Sequence, residues 1–303
     1  MNIDALIDSA IPDEQATSQY TQAAQRVKFI QSQEPLNLLP SGRTQLMTHG
    51  YRVDRAIVLF HGYTNAPQQF RALGQRLFAR GYNVYLPRAP HHGLPDPLTD
   101  AHARLTSSEL KQAAEQAVEI VQGLGTQVYV MGISMGGLMA GWVAQHHAEV
   151  DRAMLIAPAF GFRAIPPALT PLVRSAVQVL PNIFRWWDPA HKSTGDGPQH
   201  AYQRYATRSL GQLLCLSRDV QIAATRSAPA ARSVVVVTNA NDESVDNSFA
   251  ARVVTAWQRS GAGNIRTHEF SQADQLVHDL IDPDQPKQRV DYVYKVLIDL
   301  LEK

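Results

Sequence analysis

The chain has 303 residues, of which 45% are hydrophobic and 18% are charged, and its formal net charge is +1. This composition is typical of a folded globular protein and argues against disorder. The small net charge provides no field to hold a polyanion, so we expect no nucleic-acid partner. The single cysteine, Cys215, excludes an intrachain disulfide. The N-terminus has no signal-peptide pattern, and apolar runs such as "SVVVVT" are too short to span a bilayer, so we expect a cytoplasmic protein.

Strands and helices are predicted to alternate along most of the chain. Residues 1–40 have the pattern of a polar helical lead-in. Strands are predicted at 55–60, 82–87, 127–133, 152–158, 233–239 and 265–270. Helices are predicted at 66–81, 106–121, 135–148, 247–259 and 287–302, the second opening with the capping-box pair Thr106 and Glu109. This alternation predicts an α/β fold with a mostly parallel sheet and helices on both faces.

The alternation stops between residues 159 and 230. Only helical patterns are recognisable there, at 168–180 and 208–216, together with several aromatic residues. We therefore expect a mainly helical cap, inserted after the sixth strand, over a core formed by 41–158 and 231–303. A cap over the strand ends can enclose a small-molecule pocket.

A serine lies between glycines in the stretch "YVMGISMGGLMAG". Gly132, Ser134 and Gly136 form a G-x-S-x-G pattern that follows a predicted strand and opens a predicted helix. This is the context of a nucleophile elbow, in which the serine adopts a strained conformation and close packing requires glycines two positions away. A glycine-rich turn with an incidental serine is the alternative.

A nucleophilic serine needs a base and an acid that orients the base. Asp242 follows the strand at 233–239 and is our candidate acid, with Asp246 as the second choice; either carboxylate could instead cap a helix. His278 lies in a predicted loop before the last helix and is the candidate base. His268 falls within a predicted strand and is not favoured.

An oxyanion hole needs two backbone donors. The candidates are the N–H groups of Met135, which follows the serine, and of Tyr63, in the loop after the first predicted strand, where Gly62 permits a close backbone approach. The side chains of Tyr63 and Met135 are expected to be incidental to this role.

The cap aromatics Phe160, Trp186 and Trp187 are candidates for an acyl-binding pocket, although packing within the cap would account for any one of them. Taken together, they favour an apolar substrate. The remaining histidines form no convincing ligand set, so we expect no metal site. They include His61, His91, His92 and His102.

The motifs "FHGYTNAPQQF", "GISMGG", "TNANDESV" and "VHDLID", in this order, resemble those of the α/β-hydrolase superfamily, in particular bacterial carboxylesterases and monoacylglycerol-lipase-like enzymes. The resemblance covers residues 43–303. It implies an eight-stranded, mostly parallel sheet, a Ser-His-Asp triad and no cofactor. One departure is at "PRAPHHGLPD" (87–96), where His91 replaces the first glycine of the Gly-His-Gly common in relatives.

The sequence therefore predicts a serine hydrolase that cleaves carboxylic esters of small to medium apolar acyl groups through an acyl-enzyme. The same residues are compatible with lysophospholipid, monoacylglycerol, thioester, amide or carbon–carbon substrates, or with acyl transfer. A non-catalytic binding protein on the same scaffold is a further alternative. The oligomeric state is left open by the sequence.

Overall fold

The computed structural model describes residues 14–187 and 198–303. Its centre is a seven-stranded sheet with the order β1-β3-β2-β4-β5-β8-β9, in which only β1 is antiparallel to its neighbour. β6 and β7 pair separately as an antiparallel ribbon. The strands are β1 (Gln45–Met47), β2 (Val53–Phe60), β3 (Tyr82–Leu86), β4 (Gly125–Ile133), β5 (Arg152–Ile156), β6 (Phe184–Trp186), β7 (Arg204–Ala206), β8 (Val234–Asn239) and β9 (Ile265–Phe270).

Helices cover the sheet. In chain order the helices of the described residues are α1 (Glu14–Ser32), α2 (Arg71–Phe78), α3 (Ser107–Leu124), α4 (Met135–His146), α5 (Thr170–Val179), α6 (Thr207–Ala224), α7 (Asn247–Arg259) and α8 (Val290–Glu302). The capping box predicted at Thr106 and Glu109 opens α3. No helix of the described residues has both the length and the apolar character needed to cross a membrane.

The predicted α/β fold with a mostly parallel sheet is confirmed. The sheet of the described residues has seven strands, however, where the resemblance implied eight, because a single antiparallel strand, β1, precedes the first parallel one. For the same reason the insertion follows β5, the fifth strand along the chain, instead of the sixth.

The predicted cap region contains α5, the β6–β7 ribbon and α6. The ribbon was not expected, because each of its strands has only three residues and their pairing, from Phe184 to Ala206, joins distant parts of the chain. Helix α6 packs on α5 but also on α4 and α7, so it is shared between cap and core. Residues 188–197 of the predicted cap lie outside the described residues.

The predicted helical lead-in is part of the globular unit from residue 14 onward. Helix α1 packs on α3 and buries Ala23 and Val27, and Arg26 forms a 2.6 Å ion pair with Glu119. The first 13 residues of the predicted lead-in lie outside the described residues.

Candidate active site

Ser134 occupies a tight turn between β4 and α4, with φ 56° and ψ −114°. Residues other than glycine rarely adopt this backbone conformation. The neighbouring glycines allow the turn: a Cβ on Gly136 would lie 1.9 Å from the Phe60 carbonyl oxygen, and one on Gly132 would lie 2.1 Å from the Gly136 oxygen. The glycine spacing therefore reflects the close approach of α4 to β4 and β2, which leaves Ser134 at the carboxyl end of β4.

Asp242 and His278 lie side by side at the same end of the sheet. Nδ1 of His278 is 2.7 Å from Oδ2 of Asp242. The other carboxylate oxygen accepts the backbone N–H groups of Ser244, at 2.8 Å, and Val245, at 2.9 Å. These three hydrogen bonds fix a carboxylate whose residue is only 1% exposed.

Asp242 and His278 shift each other's pKa. Burial would raise the pKa of Asp242, but the charge and hydrogen bond of His278, with the two backbone donors, hold that pKa below its ordinary value. Burial would lower the pKa of His278, but the Asp242 carboxylate outweighs this and raises the pKa above 6.5. The carboxylate is thus ionised at neutral pH and favours the protonated imidazole.

The alternative residues lie elsewhere. Oδ1 of Asp246 accepts the Ser248 N–H at 2.9 Å and caps α7. His268 lies on β9, where its ring meets Phe270 edge-on. Among the described residues, neither Asp246 nor His268 forms a hydrogen bond with Asp242 or His278.

Both candidate oxyanion donors are placed near Ser134. Met135 is the first residue of α4, and the loop containing Tyr63 runs past the serine, since a Cβ on Gly62 would lie 3.7 Å from Ser134 Cβ. That distance is an ordinary contact, so the protein's own atoms would leave room for a side chain at Gly62. Among the described residues, neither the Tyr63 N–H nor the Met135 N–H donates to a backbone carbonyl outside the helices and strands.

Two buried histidines support this loop. Nε2 of His92 accepts the Thr64 N–H at 3.2 Å, and Nε2 of His61 accepts the Ala89 N–H at 3.0 Å. A ring nitrogen that accepts a hydrogen bond carries no proton, so both rings are neutral. Burial agrees with this, lowering the pKa of His61 to about 4 and that of His92 well below its ordinary value. Sequence reasoning missed this role because it depends on contacts between distant loops.

The loop that carries His278 is tied to the loop of residues 61–66, which contains the candidate donor Tyr63 and is called the oxyanion loop below. Nδ2 of Asn65 donates to Oδ2 of Asp279 at 3.1 Å, and Asp279 directly follows His278. The Gln69 side chain accepts the Gly62 N–H at 2.7 Å. Burial and the neighbouring Asp282 raise the pKa of Asp279 to about 6. No motif in the sequence indicated these polar links.

The candidate pocket residues are placed in different settings. Phe160 is buried in the core, where its ring lies close to Gly141. Trp186 is partly buried in β6, and Trp187 is 44% exposed, with its indole N–H donating to Thr64 Oγ1 at 2.8 Å. The Tyr63 hydroxyl accepts the Ala206 N–H at 3.2 Å. The Tyr63 side chain thus takes part in the contact between the loop and the cap, and the Met135 side chain is fully buried.

The departure at His91 has a simple structural outcome. His91 has a φ of +65°, so it adopts the left-handed conformation that a glycine would favour. Its Nε2 lies 3.0 Å from a carboxylate oxygen of Glu109, which anchors the ring.

One cluster of the described residues brings three possible metal ligands together, namely His200, Asp282 and Asp284. Nε2 of His200 lies 2.8 Å from Asp282, and Nδ1, on the other side of the ring, lies 3.8 Å from Asp284. The His200–Asp282 hydrogen bond also links the cap segment to the loop after His278.

A sequence-family comparison matches residues 51–263, most of the chain, to the family described as serine aminopeptidase, S33. The chain is 28% identical over 114 residues to a thermostable monoacylglycerol lipase of Bacillus sp., covering 38% of this chain and 44% of the relative. It is 30% identical over 93 residues to a pyrethroid hydrolase of Sphingobium wenxiniae, covering 31% of each. The matches thus span less than half the length of these relatives.

Solved structures show the same fold. A structure from work on LipS and LipT, two metagenome-derived lipolytic enzymes, superposes with a TM-score of 0.66 at 17% identity, covering 88% of this chain and 99% of that one. A monoacylglycerol lipase of Paleococcus ferrophilus gives a TM-score of 0.64 at 15% identity, covering 85% and 97%. With a family match over most of its length and this topology, the chain belongs to the serine aminopeptidase S33 family and has the α/β-hydrolase fold.

Proposed function

We propose that the protein is a serine hydrolase that cleaves carboxylic esters, with Ser134 as nucleophile, His278 as base and Asp242 as the orienting acid. The observation that carries the proposal is the hydrogen bond of 2.7 Å between the buried Asp242 and the partly buried His278, at the same end of the sheet as the strained Ser134 turn. A binding protein would not need an ionised carboxylate held under a histidine together with a strained serine.

In the proposed reaction His278 acts as base and as acid, and the other residues act around it. His278 takes the hydroxyl proton of Ser134 while Oγ attacks the ester carbonyl, and the Asp242 charge stabilises the imidazolium that forms. The N–H groups of Tyr63 and Met135 bind the developing oxyanion. The alcohol leaves with the proton from His278. Water then attacks the acyl-enzyme, again with His278 as base, and the acid is released.

The substrate class is supported by the cap and by the relatives. Aromatic rings lie where the cap meets the oxyanion loop, including Tyr63 and Trp187, at 6.4 Å between centroids, and Tyr202, which stacks on His92 at 5.9 Å. Such a surface suits an apolar acyl group. The relatives named as monoacylglycerol lipases agree with an ester of this kind, including a monoacylglycerol.

Amide cleavage is the second candidate, because the matching family is described as a serine aminopeptidase family. The nucleophile, base and oxyanion donors would be the same, and the difference lies in the leaving group. An amine leaves less readily than an alcohol, so proton donation by His278 matters more for an amide.

The test is hydrolysis of p-nitrophenyl esters from acetate to palmitate, beside p-nitroanilides of the same acyl groups, by the wild type and by Ser134→Ala. We expect ester cleavage that the variant loses by at least about a thousandfold while it remains folded. His278→Ala should lose activity similarly, and His268→Ala, a matched histidine on β9, should keep it. Full esterase activity in Ser134→Ala would overturn the proposal, and anilide cleavage in preference to ester cleavage would favour the second candidate.

A further inference from the structure

Thr64, in the loop after β2, has a φ of +61°. A β-branched residue avoids this left-handed region, so its surroundings must hold it there. Thr64 directly follows Tyr63, whose N–H is the proposed oxyanion donor. The reaction described above gives Thr64 no role.

Every polar group of Thr64 is engaged. Its N–H donates to Nε2 of His92 at 3.2 Å, and its carbonyl accepts the Tyr202 N–H at 2.6 Å. Its hydroxyl donates to the Tyr63 carbonyl at 2.6 Å and accepts the indole N–H of Trp187 at 2.8 Å. A fully bonded, buried residue of this kind can be kept in a conformation that it would otherwise leave.

Two of these partners belong to the cap. Trp187 directly follows β6, and Tyr202 lies just before β7. The same ribbon reaches Tyr63, because the Ala206 N–H in β7 donates to the Tyr63 hydroxyl at 3.2 Å. The cap therefore holds two consecutive residues of the oxyanion loop, through backbone and side-chain hydrogen bonds.

We propose that Thr64 and Trp187 are positioning residues that couple cap docking to the oxyanion hole, an inference that rests on the function proposed above. Rotation about φ of Thr64 moves the preceding chain relative to the Thr64 side chain and carbonyl, and the chain that moves includes the Gly62–Tyr63 peptide, which carries the donor N–H. The hydrogen bonds from Trp187 and Tyr202 keep Thr64 in its strained conformation, and this fixes the Tyr63 N–H toward the oxyanion. Without them, Thr64 relaxes toward negative φ and the donor moves away. The oxyanion hole is then complete only when the cap is docked, which confines hydrolysis to an enclosed site.

Two variants test the contact itself. Trp187→Phe keeps an aromatic ring but removes the indole N–H, and Thr64→Val keeps the β-branched shape but removes the hydroxyl. Each should lower kcat about tenfold with KM within about twofold. Each should weaken binding of a trifluoromethyl ketone analogue of the preferred ester by a similar factor. Ser134 Oγ adds to the ketone carbonyl, and the oxygen of the resulting hemiketal occupies the oxyanion hole.

Since both substitutions remove the same hydrogen bond, the double variant should lose no more activity than Thr64→Val alone. Tyr205→Phe is the matched control. Its ring packs on Trp187 at 4.5 Å between centroids, but among the described residues it is Trp187, not the Tyr205 hydroxyl, that donates to Thr64. This variant should retain wild-type kcat. Wild-type kcat and analogue affinity in Trp187→Phe, or losses that add in the double variant, would overturn the inference.

A second measurement does not depend on turnover. Backbone hydrogen exchange of residues 61–66 should be faster in Trp187→Phe and Thr64→Val than in the wild type, and unchanged in Tyr205→Phe. Unchanged exchange in Trp187→Phe overturns the coupling. If Ser134→Ala retains full activity, the proposed function fails, while the exchange result still decides whether the cap holds the loop.

Discussion

The Asp242 carboxylate and the His278 ring, 36 positions apart in the sequence, are joined by a hydrogen bond of 2.7 Å from Nδ1 to Oδ2. This contact raises the pKa of His278 above 6.5, although burial alone would lower it. The proposed base must be neutral to accept the serine proton. We therefore expect kcat/KM to rise with pH and to reach half its maximum above pH 6.5. A pH profile with a soluble ester measures this, and a midpoint below 6.5 would contradict the assignment.

The choice of acid is tested by a matched pair of carboxylate substitutions. Asp242→Asn removes the charge that stabilises the imidazolium and leaves an amide that can donate to the ring, so we expect kcat to fall by about 10³–10⁴. The residual activity should show its pH midpoint shifted down, because the charge that raises the His278 pKa is gone. Asp246→Asn keeps a good helix cap on α7 and should leave kcat within about twofold. Comparable losses in both variants would contradict the choice of Asp242.

The backbone of Ser134 provides a prediction about stability. At φ 56° and ψ −114° the serine lies in a region that costs of the order of 1–3 kcal/mol for residues with a Cβ. Ser134→Gly should therefore have a free energy of unfolding about 1 kcal/mol higher than that of Ser134→Ala, after the entropic cost of glycine. Both variants should be inactive, so the comparison isolates the strain. Denaturant unfolding measures the difference, and a less stable Ser134→Gly would argue against strain at this turn.

The close packing behind the serine is tested by adding one methyl group. Gly136→Ala places a Cβ 1.9 Å from the Phe60 carbonyl oxygen, which neither backbone can avoid without moving. We expect a loss of at least about 3 kcal/mol in the free energy of unfolding, or failure to fold. Gly263→Ala is the control, because its Cβ would meet no atom within 4 Å. If the two variants unfold at the same denaturant concentration, the described packing of α4 on β2 is wrong.

The buried neutral histidines predict loss of stability in acid. The pKa values of His61 and His102 are lowered by burial to about 4, and that of His92 is also lowered. Below pH 6.5 these histidines become protonated in the unfolded chain, whereas in the folded protein they stay neutral until a lower pH. The contribution of these neutral histidines to the free energy of unfolding is therefore fully present above about pH 6.5. It decreases as the pH approaches 4, by about 3 kcal/mol for each of His61 and His102.

The free energy of unfolding, measured at pH 7 and at pH 5, tests this dependence. His102→Phe provides the comparison, because its ring can still stack on Tyr202, at 5.1 Å between centroids in the wild type. The variant should lose less stability between the two pH values than the wild type. An equal loss in both proteins would show that His102 does not contribute.

The elements and the serine turn could be predicted from sequence because their signals are local. Alternation of apolar runs, the capping box at Thr106 and the glycines around Ser134 each depend on residues within one turn or strand. The structure confirms the α/β fold that these patterns indicated. The roles assigned to Ser134, Asp242 and His278 stay predictions, supported by the geometry of the Asp242–His278 pair.

Only the tertiary structure decided the contacts between residues far apart in the chain. The β6–β7 ribbon, the neutral His92 under the oxyanion loop and the bond from Trp187 to Thr64 leave no local pattern, because each partner is an ordinary residue in its own segment. The sequence by itself determined where strands end and which chemistry-bearing residues follow them. The packing of cap on core determined how the loop around Thr64 is held, since burial and long-range hydrogen bonds outweigh the local preference of a threonine for negative φ.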